Sequence, residues 1–70
     1  MEIFKLEGHP HVALCDLLKL QGWTDSGAMA KSVIDAGLVT VDGVVETRKR
    51  CKILADQVIS YDGQQVKVEA

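Results

Sequence analysis

Four cationic side chains lie within five residues near the middle of this 70-residue chain: Arg48, Lys49, Arg50 and Lys52. If the run is an extended strand, its side chains alternate between two faces, and Arg48, Arg50 and Lys52 point the same way at steps of about 6 to 7 Å. A row of cations at that spacing can follow a chain of phosphates. A strand edge that carries Lys and Arg only to prevent edge-to-edge pairing has the same sequence pattern.

The charge of the chain is unevenly distributed. Its formal net charge is −2, from 8 Lys and Arg against 10 Asp and Glu, which argues against a general nucleic-acid binder. Residues 46–52, however, hold four cations and one anion, and the rest of the chain is correspondingly acidic. Exposed charges more than about 8 Å apart are largely screened at physiological salt. A local basic patch can therefore attract a polyanion despite the acidic remainder.

The composition is that of one small globular domain. It is 47% hydrophobic, and no apolar run approaches the roughly 18 residues of a membrane span. The N-terminus lacks the pattern of a secretory signal, so we predict a cytoplasmic protein without membrane association. Cys15 and Cys51 are too few for a disulfide scaffold and are predicted to be small buried hydrophobic residues.

Two helices are predicted in the first half of the chain. Leu14, Leu17 and Leu18 follow helical spacing, with Pro10 suited to the first turn and Gly22 ending the helix near residue 21. A second helix is capped by Thr24 or Ser26 and ends at Gly37, with its apolar stripe at three positions: Ala30, Val33 and Ile34.

Strands and tight turns fill the remainder. A short first strand is predicted at Ile3–Leu6, and Asp-Gly at 42–43 and at 62–63 are hairpin turn signals between alternating strands. The predicted order is β-α-α-β-β-β-β. The fold class is α+β, a helical hairpin packed on a small, mainly antiparallel sheet.

Catalysis, metal binding and cofactor binding have little support in the sequence. No nucleophile lies beside a base and an orienting group, and no Gly-rich phosphate loop is present. His9 and His11 alone are an incomplete metal site. We therefore predict no enzyme activity, no metal and no cofactor. Trp23 is predicted to cover the core rather than to stack on a base.

An ordered set of short motifs resembles a known RNA-binding module. They are Leu14-x-x-Leu17-Leu18, Gly22, Ser26, Ala30-Lys31, Ile34, Gly37-x-Val39-x-Val41-Asp42-Gly43 and Asp56-x-Val58-Ile59. The chain resembles the module named after the fourth protein of the small ribosomal subunit, also called the alpha-L motif. The match covers about residues 12 to 60 of a single RNA-binding domain at 1–70, and small free-standing bacterial members look closer still.

The resemblance implies an RNA-binding surface formed by the start of the second helix and the following β-hairpin. Here the implied positions are Ser26, Gly27, Lys31, Thr47, Arg48, Lys49, Arg50 and Lys52. Many members of the family carry Ser-Arg where this chain has Ser26-Gly27, so one expected cation is missing. Gly27 either lets a phosphate approach the amides of the helix start or allows close helix packing.

These inferences predict a monomer that binds structured RNA of the ribosomal or transfer RNA class, with a place on the ribosome or in another ribonucleoprotein. A protein-interaction module that docks on an acidic partner, also at the ribosome, is the main alternative. Duplex DNA is a third option, although no predicted helix carries a row of base-reading Arg, Asn or Gln.

Overall fold

The computed structural model describes all residues from Met1 to Ala70. Two helices and seven strands follow one another in the order β-β-α-α-β-β-β-β-β. The elements are β1 (Glu2–Lys5), β2 (Val12–Ala13), α1 (Leu14–Leu20), α2 (Gly27–Asp35), β3 (Val39–Val41), β4 (Val44–Val45), β5 (Lys52–Ile53), β6 (Val58–Tyr61) and β7 (Gln64–Glu69). Neither helix is long and apolar enough to cross a membrane.

The main sheet has five strands in the order β1-β7-β6-β3-β4. Only β1 and β7 are parallel; the other three neighbouring pairs are antiparallel. The predicted α+β class with a mainly antiparallel sheet is therefore confirmed.

Both predicted hairpin turns are present. Asp42 and Gly43 connect β3 to β4, and Asp62 and Gly63 connect β6 to β7. All four residues have positive φ, from 51° at the aspartates to 83° at Gly43. Two consecutive residues with positive φ give a turn whose twist matches that of the flanking strands, which explains why Asp-Gly recurs at both positions.

The start of the first helix differs from the prediction. α1 begins at Leu14 and not near Pro10, because Val12 and Ala13 pair with Ile53 and Lys52 in a separate two-stranded sheet. This pairing of β2 with β5 adds two short strands to the predicted order. It also fixes the end of the basic run against the segment that leads into α1.

The core lies between the two helices and one face of the main sheet. Its fully buried members include Leu14, Leu17 and Leu18 from α1, Ala30 and Ile34 from α2, and Val39, Ile59, Val66 and Val68 from the sheet. Trp23 is 9% exposed and packs near Tyr61, so its predicted place over the core is confirmed. Cys15 is buried as predicted, but Cys51 is only partly buried, and the prediction for Cys51 was wrong.

Candidate nucleic-acid interface

The basic residues lie on a loop rather than on an extended strand. We define the basic loop as residues 46–52, which connect β4 to the first residue of β5. The backbone N–H of Cys51 donates to the carbonyl oxygen of Arg48 at 3.1 Å and closes a turn through Lys49 and Arg50. The predicted alternation of Arg48, Arg50 and Lys52 along one strand face is therefore wrong.

The turn supplies hydrogen-bond acceptors that the start of α1 needs. Ala13 precedes the helix and offers no side-chain cap. The N–H of Leu14 donates instead to the carbonyl of Cys51 at 2.9 Å, and the N–H of Cys15 donates to that of Lys49 at 3.1 Å. Since the first amides of a helix have no partner within the helix, these two carbonyls satisfy groups that would otherwise be buried without a bond. The start of α1 thus holds the basic loop in place.

The turn nevertheless brings the same cations together. Arg48, Arg50 and Lys52 line one open concavity, with Cys51 as its fourth member. All three cationic residues are exposed. A compact cluster thus replaces the predicted linear row.

Glu46 binds Arg48 at the base of the loop. One carboxylate oxygen accepts the backbone N–H of Arg48 at 2.9 Å and its Nε–H at 3.1 Å, and the other accepts from Nη2 at 2.9 Å. The Glu46 side chain is only 17% exposed, whereas that of Arg48 is 76% exposed. This forked geometry is among the stronger hydrogen-bonding arrangements available to side chains.

The pKa values around this pair follow from its contacts. The side-chain hydrogen bond from Arg48, supported by the Arg48 backbone N–H, lowers the pKa of Glu46 from 4.5 to about 2. The same hydrogen bond raises the pKa of Arg48 above its ordinary value. Burial raises the pKa of the Cys51 thiol, and the nearby Glu46 carboxylate adds to that effect. Glu46 and Arg48 are therefore both charged at neutral pH and form an ion pair at 2.9 Å.

Lys49 connects the loop to the second helix. Its Nζ lies 3.8 Å from a carboxylate oxygen of Asp35, at the C-terminal end of α2. Gly27, Lys31 and Asp35 follow one another at intervals of four residues, so they share one side of that helix. Lys31 is therefore one turn, and Gly27 two turns or about 12 Å, from the residue that meets the loop.

The start of the second helix is built as the sequence suggested. Ser26 is the N-cap, and its Oγ accepts the N–H of Met29 at 3.1 Å. A Cβ atom placed on Gly27 would meet no other atom within 4 Å. The alternative that Gly27 allows close helix packing is therefore wrong, and the space beside this helix start is open.

Three cations of the predicted site have no carboxylate partner within 4.0 Å: Lys31, Arg50 and Lys52. Thr47 is exposed within the loop. Sequence reasoning missed the roles of Glu46 and Asp35, which each engage one cation of the site. The sequence indicated the first contact only by placing Glu46 two residues before Arg48. It gave no indication of the second contact, because Lys49 and Asp35 are far apart along the chain.

No group of three or more His, Cys, Asp or Glu side chains in the structure is placed to hold a metal ion.

Comparisons with known proteins show which family and which proteins the chain is similar to. The family profile described as S4 domain matches residues 4–69. A relative from Escherichia coli K12, named "Putative RNA-binding protein YbcJ", is 61% identical over 70 residues and is covered over its whole length, as is this chain. The YbcJ protein of Shigella flexneri matches with the same identity and coverage.

The chain is also similar to a solved structure. The chain is similar to the solution structure of E. coli YbcJ, described as revealing an alpha-L motif involved in RNA binding, with a TM-score of 0.77. The two share 61% identity, and the match covers 100% of this chain and 89% of the other.

Proposed function

The chain belongs to the S4 domain family, and on that premise we propose that it is a non-enzymatic protein that binds structured RNA. The proposed ligand is of the ribosomal or transfer RNA class, which implies a cytoplasmic location in or near a ribonucleoprotein. We propose that the chain acts as a monomer and as one domain. The relatives that carry the RNA-binding description support this proposal, because they match over the full length of the chain.

The observation that carries the proposal is a set of three cations, two on the basic loop and one on α2, that have no carboxylate partner. Arg50 and Lys52 face an open concavity, and Lys31 lies on the side of α2 that meets the loop through Asp35. None of the three has a carboxylate within 4.0 Å, so each side chain is free to contact a phosphate. Neutralising phosphates releases condensed counterions, which supplies affinity for RNA at moderate salt.

The second half of the proposed surface is the start of α2. The N–H groups of Gly27 and Ala28 have no acceptor within the protein. A helix start with free amides and an open approach suits a phosphate oxygen, because the helix dipole favours negative charge there.

The arrangement favours structured RNA over single strands. Proteins that bind single strands without sequence preference usually present aromatic side chains on which bases stack. Here Trp23 is 9% exposed with its ring centroid 6.5 Å from that of Tyr61, and Phe4 and Tyr61 are half-buried, so no aromatic side chain is fully exposed for stacking. Recognition through phosphates and shape is the mode expected for folded RNA.

The test is a salt titration of binding to a structured ribosomal RNA fragment and to duplex DNA of equal length. Three phosphate contacts predict a log–log slope between about −2.1 and −2.7, or a loss of about 20- to 40-fold from 50 to 200 mM salt. Arg50→Ala with Lys52→Ala should weaken binding and flatten the slope. Equal binding to RNA and DNA, or binding to neither, would contradict the proposal.

A protein-interaction module remains the second candidate, because apolar residues are exposed beside the basic loop. Val44 and Val45 on the edge strand β4 are 70% and 56% exposed, and Leu38 is 57% exposed. These residues suit a partner that combines an acidic patch with an apolar one. Competition for that partner by RNA, but not by a neutral peptide, would favour the RNA-binding proposal.

A further inference from the structure

The hydrogen bonds of Arg48 leave it few free donors. A guanidinium group has five N–H donors. In Arg48, the Nε–H and one Nη2–H bind Glu46, and Nη2 also contacts Cys51 Sγ at 3.5 Å. Only the two hydrogens of Nη1 have no partner in the protein. The forked face formed by Nε and Nη2 is already bound to a carboxylate, and only Nη1 is left for a phosphate.

The charges of the basic loop are therefore unequal. Arg48 Nη2 lies 2.9 Å from a carboxylate oxygen of Glu46, which neutralises its charge. Arg50 and Lys52 have no carboxylate within 4.0 Å. Because Glu46 also accepts the backbone N–H of Arg48, the pair fixes the main chain where the turn begins. The turn closes through the bond from Cys51 N–H to the Arg48 carbonyl.

We propose that Glu46 and Arg48 form a brace that holds the basic loop in its RNA-binding conformation, while Arg50 and Lys52 contact the phosphates. Arg48 and Glu46 are then positioning residues. This inference rests on the proposed function and assigns different roles to cations that sequence reasoning treated alike.

The physical basis is preorganisation. Closely spaced cations repel one another, and an unrestrained loop that carries them would spread out in solution. Ordering each long side chain and its backbone at the moment of binding costs affinity, and a brace present in the free protein removes that cost. The brace acts at one end of the turn, and the carbonyl bonds to the start of α1 act at the other.

The test compares charge-conserving with charge-removing changes at two arginines. Lysine keeps the charge but cannot reproduce the fork of Arg48 on Glu46. Arg48→Lys should therefore weaken binding to the structured ribosomal RNA fragment about as much as Arg48→Ala, by about two- to tenfold. At Arg50, which has no carboxylate partner, Arg50→Lys should recover most of the affinity lost in Arg50→Ala. If Arg48→Lys recovers affinity as Arg50→Lys does, Arg48 contacts phosphate directly and the proposal is wrong.

The Glu46→Gln variant tests the proposal by the direction in which RNA affinity changes. Removing an anion beside a basic cluster should strengthen binding if only charge matters. The brace predicts weaker binding, with the salt slope unchanged, and no further loss when Arg48→Ala is added. Tighter binding by Glu46→Gln would mean that Glu46 competes with RNA for Arg48, which overturns the proposal.

A readout without RNA separates this inference from the proposed function. Backbone relaxation measured by NMR should show that the amides of residues 47–51 become mobile in Glu46→Gln and Arg48→Lys, but stay rigid in Arg50→Lys. Failure of the wild-type chain to bind RNA would refute the proposed function. The relaxation measurement would still show whether Glu46 and Arg48 hold the loop rigid. A loop that stays rigid in all three variants would refute the brace itself.

Discussion

At the scale of single residues, the proposed interface depends on which cations are already paired with a carboxylate. Arg48 and Lys49 each have a carboxylate within 4.0 Å, from Glu46 and Asp35 respectively. The Glu46 contact is forked and partly shielded from solvent, so it should persist. The Asp35 contact joins two exposed side chains, and exposed pairs contribute little and are weakened by salt. Lys49 can therefore be released to a phosphate far more easily than Arg48.

The low pKa of Glu46 gives a prediction about pH. The folded-state pKa, about 2, lies below the usual 4.5, so the ionised form favours the folded loop. That contribution is complete above pH 4.5 and is lost as the pH falls through about 2. The loop should therefore be insensitive to pH between 5 and 8. NMR titration of the Glu46 side-chain carboxyl carbon measures this directly, with a midpoint near 2.

The matched control for the titration is Arg48→Ala. Removing the donor of the main hydrogen bond should return the Glu46 midpoint toward 4.5. A midpoint near 4.5 in the wild-type chain would show that the ion pair does not persist in solution.

Gly27 yields a prediction about added charge. Because a Cβ there meets nothing within 4 Å, Gly27→Arg should fold normally and place a new cation at the helix start. The salt slope for RNA should steepen by about 0.7 to 0.9, the value of one additional phosphate contact. Gly27→Ala, which adds no charge, is the control and should leave the slope unchanged. An unchanged slope in both variants would place the start of α2 outside the RNA contact.

At the scale of elements, each helix start is satisfied in a different way. Ser26 caps α2 with its own side chain, a local solution readable from the sequence. The start of α1 has no side-chain cap and depends on the carbonyls of Lys49 and Cys51, more than 30 residues away. The fold of the basic loop and the start of α1 are therefore coupled.

The cap of α2 can be tested by a pair of serine variants. Ser26→Ala removes the acceptor of the Met29 N–H and should lower the free energy of unfolding by about 1 kcal/mol. Ser32→Ala, at an exposed position within the same helix, should be neutral or slightly stabilising because alanine is the better helix former. Urea denaturation followed by the fluorescence of Trp23 measures both. Equal stability of the two variants would exclude a capping role.

At the scale of the whole molecule, a small core supports the proposed RNA-binding surface. The buried residues come from both helices and the inner face of the sheet, so the helices that frame the interface are held by the same side chains that fold the domain. Domains of this size have free energies of unfolding of about 4 to 10 kcal/mol, so a single cavity in the core can remove a large share of that stability.

Two leucines of α1 allow the contribution of core packing to stability to be measured. Leu17 is fully buried, and Leu17→Ala should lower the free energy of unfolding by about 2 to 5 kcal/mol. Leu20 is 64% exposed, and Leu20→Ala should change it by no more than about 0.5 kcal/mol. The same urea denaturation applies. Similar costs in the two variants would contradict the observed orientation of α1.

The sequence by itself determined the features that depend on neighbouring residues. Helical spacing placed Leu14, Leu17 and Leu18 in the core, and Asp-Gly pairs located both hairpin turns. The ordered motifs also identified the family, which the comparisons confirm. The helical spacing and the turn signals follow from periodicity and backbone preference, which act over a few residues.

Only the tertiary structure decided how the basic residues are arranged. The sequence predicted a strand, because nothing near residue 48 shows that the start of α1 lacks hydrogen-bond acceptors. The run is a turn, and the N–H groups of Leu14 and Cys15 donate to the carbonyls of Cys51 and Lys49 within it. Glu46 and Asp35 then pair with Arg48 and Lys49, and Arg50 and Lys52 are left without a carboxylate. Which cations are free for a ligand depends on contacts between distant segments, and these exist only once the chain is folded.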